Sequence, residues 1–106
     1  ASMKLDELRD AADNASSLLK SLANPQRLRI MCLILEKERP VGDLADALDL
    51  QQSAVSQHLA LLRREGLLKA RRDGQTIYYQ IADGNISPLL ELLAGMFCQP
   101  KKRPRV

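Results

Sequence analysis

Two thiols are the most reactive side chains in this 106-residue sequence: Cys32 in the apolar run IMCLIL, and Cys98 in GMFCQP, 66 positions further on. Large apolar neighbours suit a cysteine that fills a core, and equally a thiol kept from water until it reacts. Cations nearby favour the nucleophilic thiolate, whereas the C-terminal end of a helix opposes it. Arg29 lies three residues before Cys32, on the same side of a helix, and Lys101 and Lys102 follow Cys98. These influences conflict, so the residues name no first-attacking thiol and leave Cys32 open between core filler and reagent.

A second group is polar. Gln51, Gln52, Ser53, Ser56 and Gln57 open a helical run. A helix docked in a major groove reads base edges with its N-terminal residues, Gln pairing bidentately with adenine and Ser serving several bases. Arg63, Arg64, Arg71 and Arg72 suit phosphate or minor-groove contacts, and Gln75 stands at the turn just beyond the last two. Taken singly, each fits an ordinary solvated face; their order is the more specific signal. Net charge supports it: residues 1–50 carry −2, residues 51–81 carry +3 and residues 82–106 carry +2. A positive field over the middle of the chain is the footprint expected of nucleic-acid binding.

Other chemistries find less. No CxxC, no Ser-His-Asp set and no phosphate-cradling glycine loop occurs, so no enzyme and no cofactor are expected. A tetrahedral metal site wants three or four converging Cys, His or carboxylate groups. Two cysteines and the single histidine, His58, supply that poorly.

The elements that position these groups follow from spacing. Leu5, Leu8, Ala12, Ala15, Leu19 and Leu22 form a heptad-like stripe on a first helix, with Asp6, Glu7 and Asp10 near its positive end. Asn24-Pro25 reads as an N-cap followed by proline in the first turn of a helix over about 25–36, which EKERP ends. A short helix over 41–48 and a tight Leu50-Gln51-Gln52 connection lead to a helix over 53–64, with Val55, Leu59 and Leu62 inward and Gly66 past its end. LLKARRDGQTIYYQI alternates around Asp73-Gly74, which signals a type I′ hairpin. A last helix, about 85–98, carries Ile86, Leu89, Leu90, Leu93 and Phe97.

This order predicts a mainly α fold with a β-hairpin wing: a winged helix–turn–helix domain over 4–98, followed by a basic, disordered tail over 99–106. Apolar content of 45% and charged content of 27% suit a globular protein. There is no run of about 18 apolar residues and no leader pattern, and only two cysteines, so no membrane partner and a cytoplasmic location are expected. Ala1-Ser2 ahead of Met3 reads as an expression scar.

LANPQRLRIMCLI, VGDLADAL, QSAVSQHLALLRREGLL and RRDGQTIYYQI together resemble the bacterial ArsR-type winged-helix repressors, over roughly residues 16–98. The resemblance implies a homodimer built through the first and last helices, double-stranded operator DNA as partner, and release from it when an effector binds. Leu5, Leu8, Ala12, Ala15, Leu19, Leu89 and Leu93 would form the dimer seam, which their apolar stripes suit independently. His58, in the family's S-x-H-L segment, would pack near the DNA-facing end of its helix and touch phosphate at most. Many such repressors sense metals, yet VGDLADAL lacks the family's cysteine pair, and the last-helix site has only Asp83 and Glu91. Placement of Cys32 and Cys98 in the second and last helices is instead similar to the sulfide- and persulfide-responsive, BigR/SqrR/HlyU-like subgroup. That likeness implies a repressor that holds its operator when reduced and lets go when reactive sulfur species bridge the two thiols. The alternatives are a metal-responsive repressor, a general thiol-oxidation sensor, and a winged helix used for protein contacts alone.

Overall fold

A computed structural model of the chain describes residues 4–82 and 84–97. Cys98 and the tail over 99–106, together with Asp83, lie outside the described residues.

Helix α1 (Leu5–Leu22) begins where the Glu7 carboxylate accepts the Lys4 backbone N–H at 3.2 Å. It buries little of itself: Ser21 and Leu22 are inside, Leu18 is half-buried, and Leu5, Leu8 and Leu19 stay exposed. Its carboxyl end is closed by Arg27, whose Nε donates to the Ser21 carbonyl at 2.6 Å. Helix α2 (Pro25–Glu36) opens at Asn24 as the sequence predicts. The Asn24 Oδ1 accepts from the backbone of Gln26 at 2.9 Å and of Arg27 at 3.1 Å, two of the donors that a helix start leaves without partners.

After α2 come a two-residue strand β1 (Arg39–Pro40), helix α3 (Val41–Leu48) and helix α4 (Gln52–Arg64). Both helices of the helix–turn–helix end in the same two-bond closure. Past α3, the N–H groups of Asp49 and Leu50 donate to Asp46 and Ala45 at 3.3 and 2.9 Å; past α4, those of Gly66 and Leu67 donate to Arg63 and Leu62, both at 2.9 Å. Glycine at φ 81° suits the second closure, whereas the first puts Asp49 in the left-handed region at φ 56°. Helix α4 starts one residue earlier than expected, at Gln52, because the Gln51 carbonyl already accepts from Ala54 and Val55.

Strands β2 (Leu68–Asp73) and β3 (Thr76–Ile81) form the wing, and β3 also pairs antiparallel with β1, giving the order β1-β3-β2. The turn differs from the expected type I′. Register pairs Asp73 with Thr76, so Gly74 and Gln75 are the two loop residues, and Gly74 alone has positive φ, 66°. Type I′ needs positive φ at both positions, while glycine at the first alone is the II′ pattern. A 3₁₀ turn (Gly84–Ile86) leads into α5 (Ser87–Phe97).

The core gathers Ile30, Met31 and Ile34 from α2, Leu44 from α3, Val55, Leu59 and Leu62 from α4, and Leu90 from α5. Burying one such side chain is worth about 1.5–3 kcal/mol, so the helices are anchored by their own apolar residues, α1 only at its last turn through Leu22. The mainly α architecture with a β-hairpin wing is the one the sequence implies. No helix among the described residues is long and apolar enough to cross a membrane.

Candidate nucleic-acid interface and thiol groove

Helix α4 divides its faces cleanly. Val55, Leu59 and Leu62 are buried, which leaves Ser53, Ser56 and Gln57 exposed in its first turns, with Gln51 and Gln52 exposed just ahead. These five exposed polar residues cluster within two turns at the amino end of the helix. Gln52 has a second contact: a Cβ on Gly42 would sit 3.6 Å from its amide nitrogen, so that amide lies over the start of α3. Arg63 and Arg64 are exposed at the other end of α4. At 1.5 Å per residue, Arg63 is about 16 Å along the axis from Gln52, so one helix carries neutral polar groups at one end and cations at the other.

His58 is half-buried on α4. Burial, helped by the positive charge of Arg27, holds its pKa below the ordinary histidine value, which favours the neutral ring. It is therefore a packed side chain with little charge to offer a phosphate.

The wing separates its two arginines. Alternation along β2 sends Arg71 and Arg72 to opposite faces of the sheet. Arg72 and Gln75 are exposed near the turn, and Arg72 has no ion pair among the described residues. Arg71 is engaged. Its guanidinium makes a two-pronged contact with the Glu38 carboxylate, through Nε at 3.2 Å and a shorter Nη2 contact, and lies 4.7 Å from the centre of the Tyr78 ring. Gln80 donates to the same carboxylate at 2.5 Å. Hydrogen bonding to Arg71 outweighs partial burial and keeps the Glu38 carboxyl below the usual carboxylate range. Sequence reasoning missed Glu38, Tyr78 and Gln80, because Glu38 and Arg71 are 33 positions apart and no local pattern links them.

Cys32 is half-buried on α2 and lines an apolar groove of about 230 Å³ between α2 and α5. Leu28 and Arg29 line it from the same helix, facing Leu93, Ala94 and Phe97. Arg29 lines the groove with the apolar stem of its side chain, while its guanidinium donates to Gln26 Oε1 at 3.0 Å. Phe97, the last residue described, immediately precedes Cys98 in sequence. No three His, Cys, Asp or Glu side chains converge as a metal site among the described residues.

Two apolar faces remain outside the core. On α1, Leu5 is 64% exposed, Leu8 and Leu19 are also open, and Ala12 and Ala15 share that exposure. On α5, Leu89 and Leu93 are half-buried, while Leu92, Met96 and Phe97, the last 70% exposed, extend the same apolar surface. Leu92 and Met96 fall off the stripe chosen from the sequence, since α5 is apolar nearly all round.

Known proteins share this arrangement. The model of the bacterial regulatory protein, arsR family, matches residues 24–70, from the cap of α2 into β2. The transcriptional activator HlyU of Vibrio cholerae is 43% identical over 93% of this chain and 92% of its own. The structure of reduced HlyU from the same organism superposes with a TM-score of 0.85 at 43% identity, covering 90% of this chain and all of that one. The transcriptional repressor BigR of Xylella fastidiosa gives a TM-score of 0.82 at 30% identity over 95% of this chain and all of its own. These relatives are named as regulators of transcription, not as enzymes. With the helix–turn–helix, the arginine-bearing wing and full-length likeness in agreement, the chain belongs to the arsR family of bacterial regulatory proteins.

Proposed function

We propose that this chain is a homodimeric, thiol-switched repressor acting on operator DNA in the cytoplasm. Its domain spans residues 4–98, with 99–106 a basic appendage. Gln51, Gln52, Ser53, Ser56 and Gln57 read base edges in the major groove, and Arg63, Arg64, Arg72 and Gln75 meet backbone. The exposed faces of α1 and α5 supply the dimer seam, because nothing among the described residues covers them.

The observation that carries the switch is the placement of Cys32 in an apolar groove whose opposite wall ends at Phe97, next in sequence to Cys98. Arg29, three residues before Cys32 on the same helix, favours thiolate, whereas the apolar walls of the groove oppose it. A thiolate that attacks the outer sulfur of a persulfide breaks that S–S bond, becomes a persulfide itself and expels a thiolate. Attack by the second thiolate on the inner sulfur then closes a disulfide and expels hydrosulfide, so the effector is the oxidant that is reduced. Longer sulfur bridges follow when the effector carries more sulfur. A bridge between α2 and α5 ties the helix beside the reading unit to the dimer seam, and a packed interface of this kind has discrete alternative arrangements. Shifting operator affinity 5- to 150-fold takes only about 1–3 kcal/mol of coupling.

The test is operator binding before and after polysulfide, with mass spectrometry counting the sulfur atoms that join the cysteines. Reduced protein should bind, polysulfide should release it, and reductant should restore binding. Cys32→Ser and Cys98→Ser should each bind and fail to respond. Normal release in either variant would sink the two-thiol mechanism, and release by zinc alone would favour metal sensing.

A further inference from the structure

Glu38 and Arg39 are consecutive residues at the corner between α2 and α3, and they reach in different directions. Arg39 turns back onto α2: its Nε donates to the Leu33 carbonyl at 2.9 Å, and its guanidinium pairs with Glu36 at 2.7 Å. Glu38 reaches across the sheet, where its one carboxylate receives Arg71 from β2 and Gln80 from β3. Tyr78 lies under the same guanidinium and is the residue that register places opposite both Arg71 and Pro40. All three strands are therefore fastened on one face by a single cluster in which every group has a partner. The backbone alone would hold the wing to this corner weakly, since β1 pairs with β3 through only Arg39 with Tyr79 and Pro40 with Tyr78. A two-pronged arginine–carboxylate contact also fixes direction as well as distance.

We propose that Glu38 is the positioning residue of the wing: by clasping Arg71 and Gln80 to the α2–α3 corner it sets the angle between the hairpin and helix α4. Arg71 then serves DNA binding through this clasp and not through a phosphate. The clasp matters because a winged helix–turn–helix must place two elements on one duplex, α4 in a groove and the hairpin beside it. A hairpin loose at its base loses ordering entropy each time it docks. Arg39 extends the same corner to the carbonyl of Leu33, the residue after Cys32, so wing and thiol helix share one joint. The proposal rests on the hairpin being a DNA-touching wing; it does not depend on the thiol switch.

The experiment uses the full chain in reduced form and a duplex selected by the wild-type protein from a random library. Glu38→Gln, Arg71→Gln, their double and the reversed pair Glu38→Arg with Arg71→Glu are compared for affinity across a salt series and for hydroxyl-radical footprint. Each single substitution should weaken binding about tenfold, and the double should be no worse than either single, as for residues that act as a unit. The salt slope should flatten equally in Glu38→Gln and Arg71→Gln, because a wing that no longer docks gives up the Arg72 phosphate contact whichever partner of the clasp is removed. Protection flanking the half-sites should fade while protection at their centres persists, and the reversed pair should recover both affinity and flanking protection. A general loss of folding in the singles would instead dim the whole footprint, centres and flanks alike, which would overturn the assignment to the wing. So would a salt slope flattened in Arg71→Gln and unchanged in Glu38→Gln, the signature of Arg71 itself neutralising a phosphate. A wild-type footprint with no flanking protection would overturn the wing reading and this proposal together.

Discussion

Arg72→Gln isolates what the wing contributes to backbone contact. Arg72 is exposed, lies on the face of β2 opposite the Glu38 cluster, and has no ion pair among the described residues. Glutamine keeps most of its reach and removes only the charge. A homodimer presents two wings, so the change removes two phosphate contacts and should flatten the slope of log K against log salt by about 1.8. Between about 50 and about 200 mM salt, the affinity gap between wild type and variant should therefore narrow by about 12-fold. Fluorescence anisotropy on a selected duplex and on a scrambled duplex of equal length measures both slopes. Equal flattening on the two duplexes is expected, since phosphates carry no sequence. An unchanged slope, or a loss confined to the selected duplex, would refute the reasoning and make Arg72 a base-reading residue.

Asn24→Ala strips two backbone donors of α2 of their acceptor and should destabilise the fold by about 1–2 kcal/mol, read by thermal melting or urea titration. Asp49→Asn should stabilise by about 0.5–1 kcal/mol in the same assays, because asparagine tolerates the left-handed φ of 56° and removes an anion from the negative end of α3. The Glu38 carboxyl is held below its ordinary value of 4.5, so what its ionised form adds to stability is present above pH 4.5 and is lost as pH falls through the lower folded value. Melting curves of wild type and Glu38→Gln should thus differ at neutral pH and converge in acid. His58 also has a lowered folded pKa, so the unfolded chain takes up its proton first and stability falls as pH drops through about 6.5. His58→Gln should flatten that part of the stability profile.

Helix boundaries were legible because local chemistry sets them. Asn24-Pro25 starts α2 and Gly66 closes α4 through bonds spanning only a few residues. The apolar stripes were legible too, although α5 is apolar on so many sides that its spacing set the exposed Phe97 on one stripe with the core-facing Leu90. Strand β1 was not legible, since two residues ending in proline show no alternation and pair only because β3 lies alongside. The turn shifted by one residue for a related reason: Asp73-Gly74 marks a hairpin, but cross-strand register decides which residues occupy its loop. At the candidate site, helical spacing marked the exposed polar surface at the start of α4. Residue type could not distinguish Arg71 from Arg72, because that difference is made by Glu38, distant in sequence.

Helix α1 has a consequence for how the molecule is maintained. An 18-residue helix buried only at its last turn is close to the length at which isolated helices are marginal in water. With the dimer seam proposed above, its order is supplied largely by a second chain, so α1 obeys mass action while the core of α2, α3 and α4 does not. Dilution should speed amide hydrogen exchange along α1 well before it reaches Ile30 or Leu59. The amount of regulator in a cell would then govern how much of each chain is folded, as well as how many operators are filled.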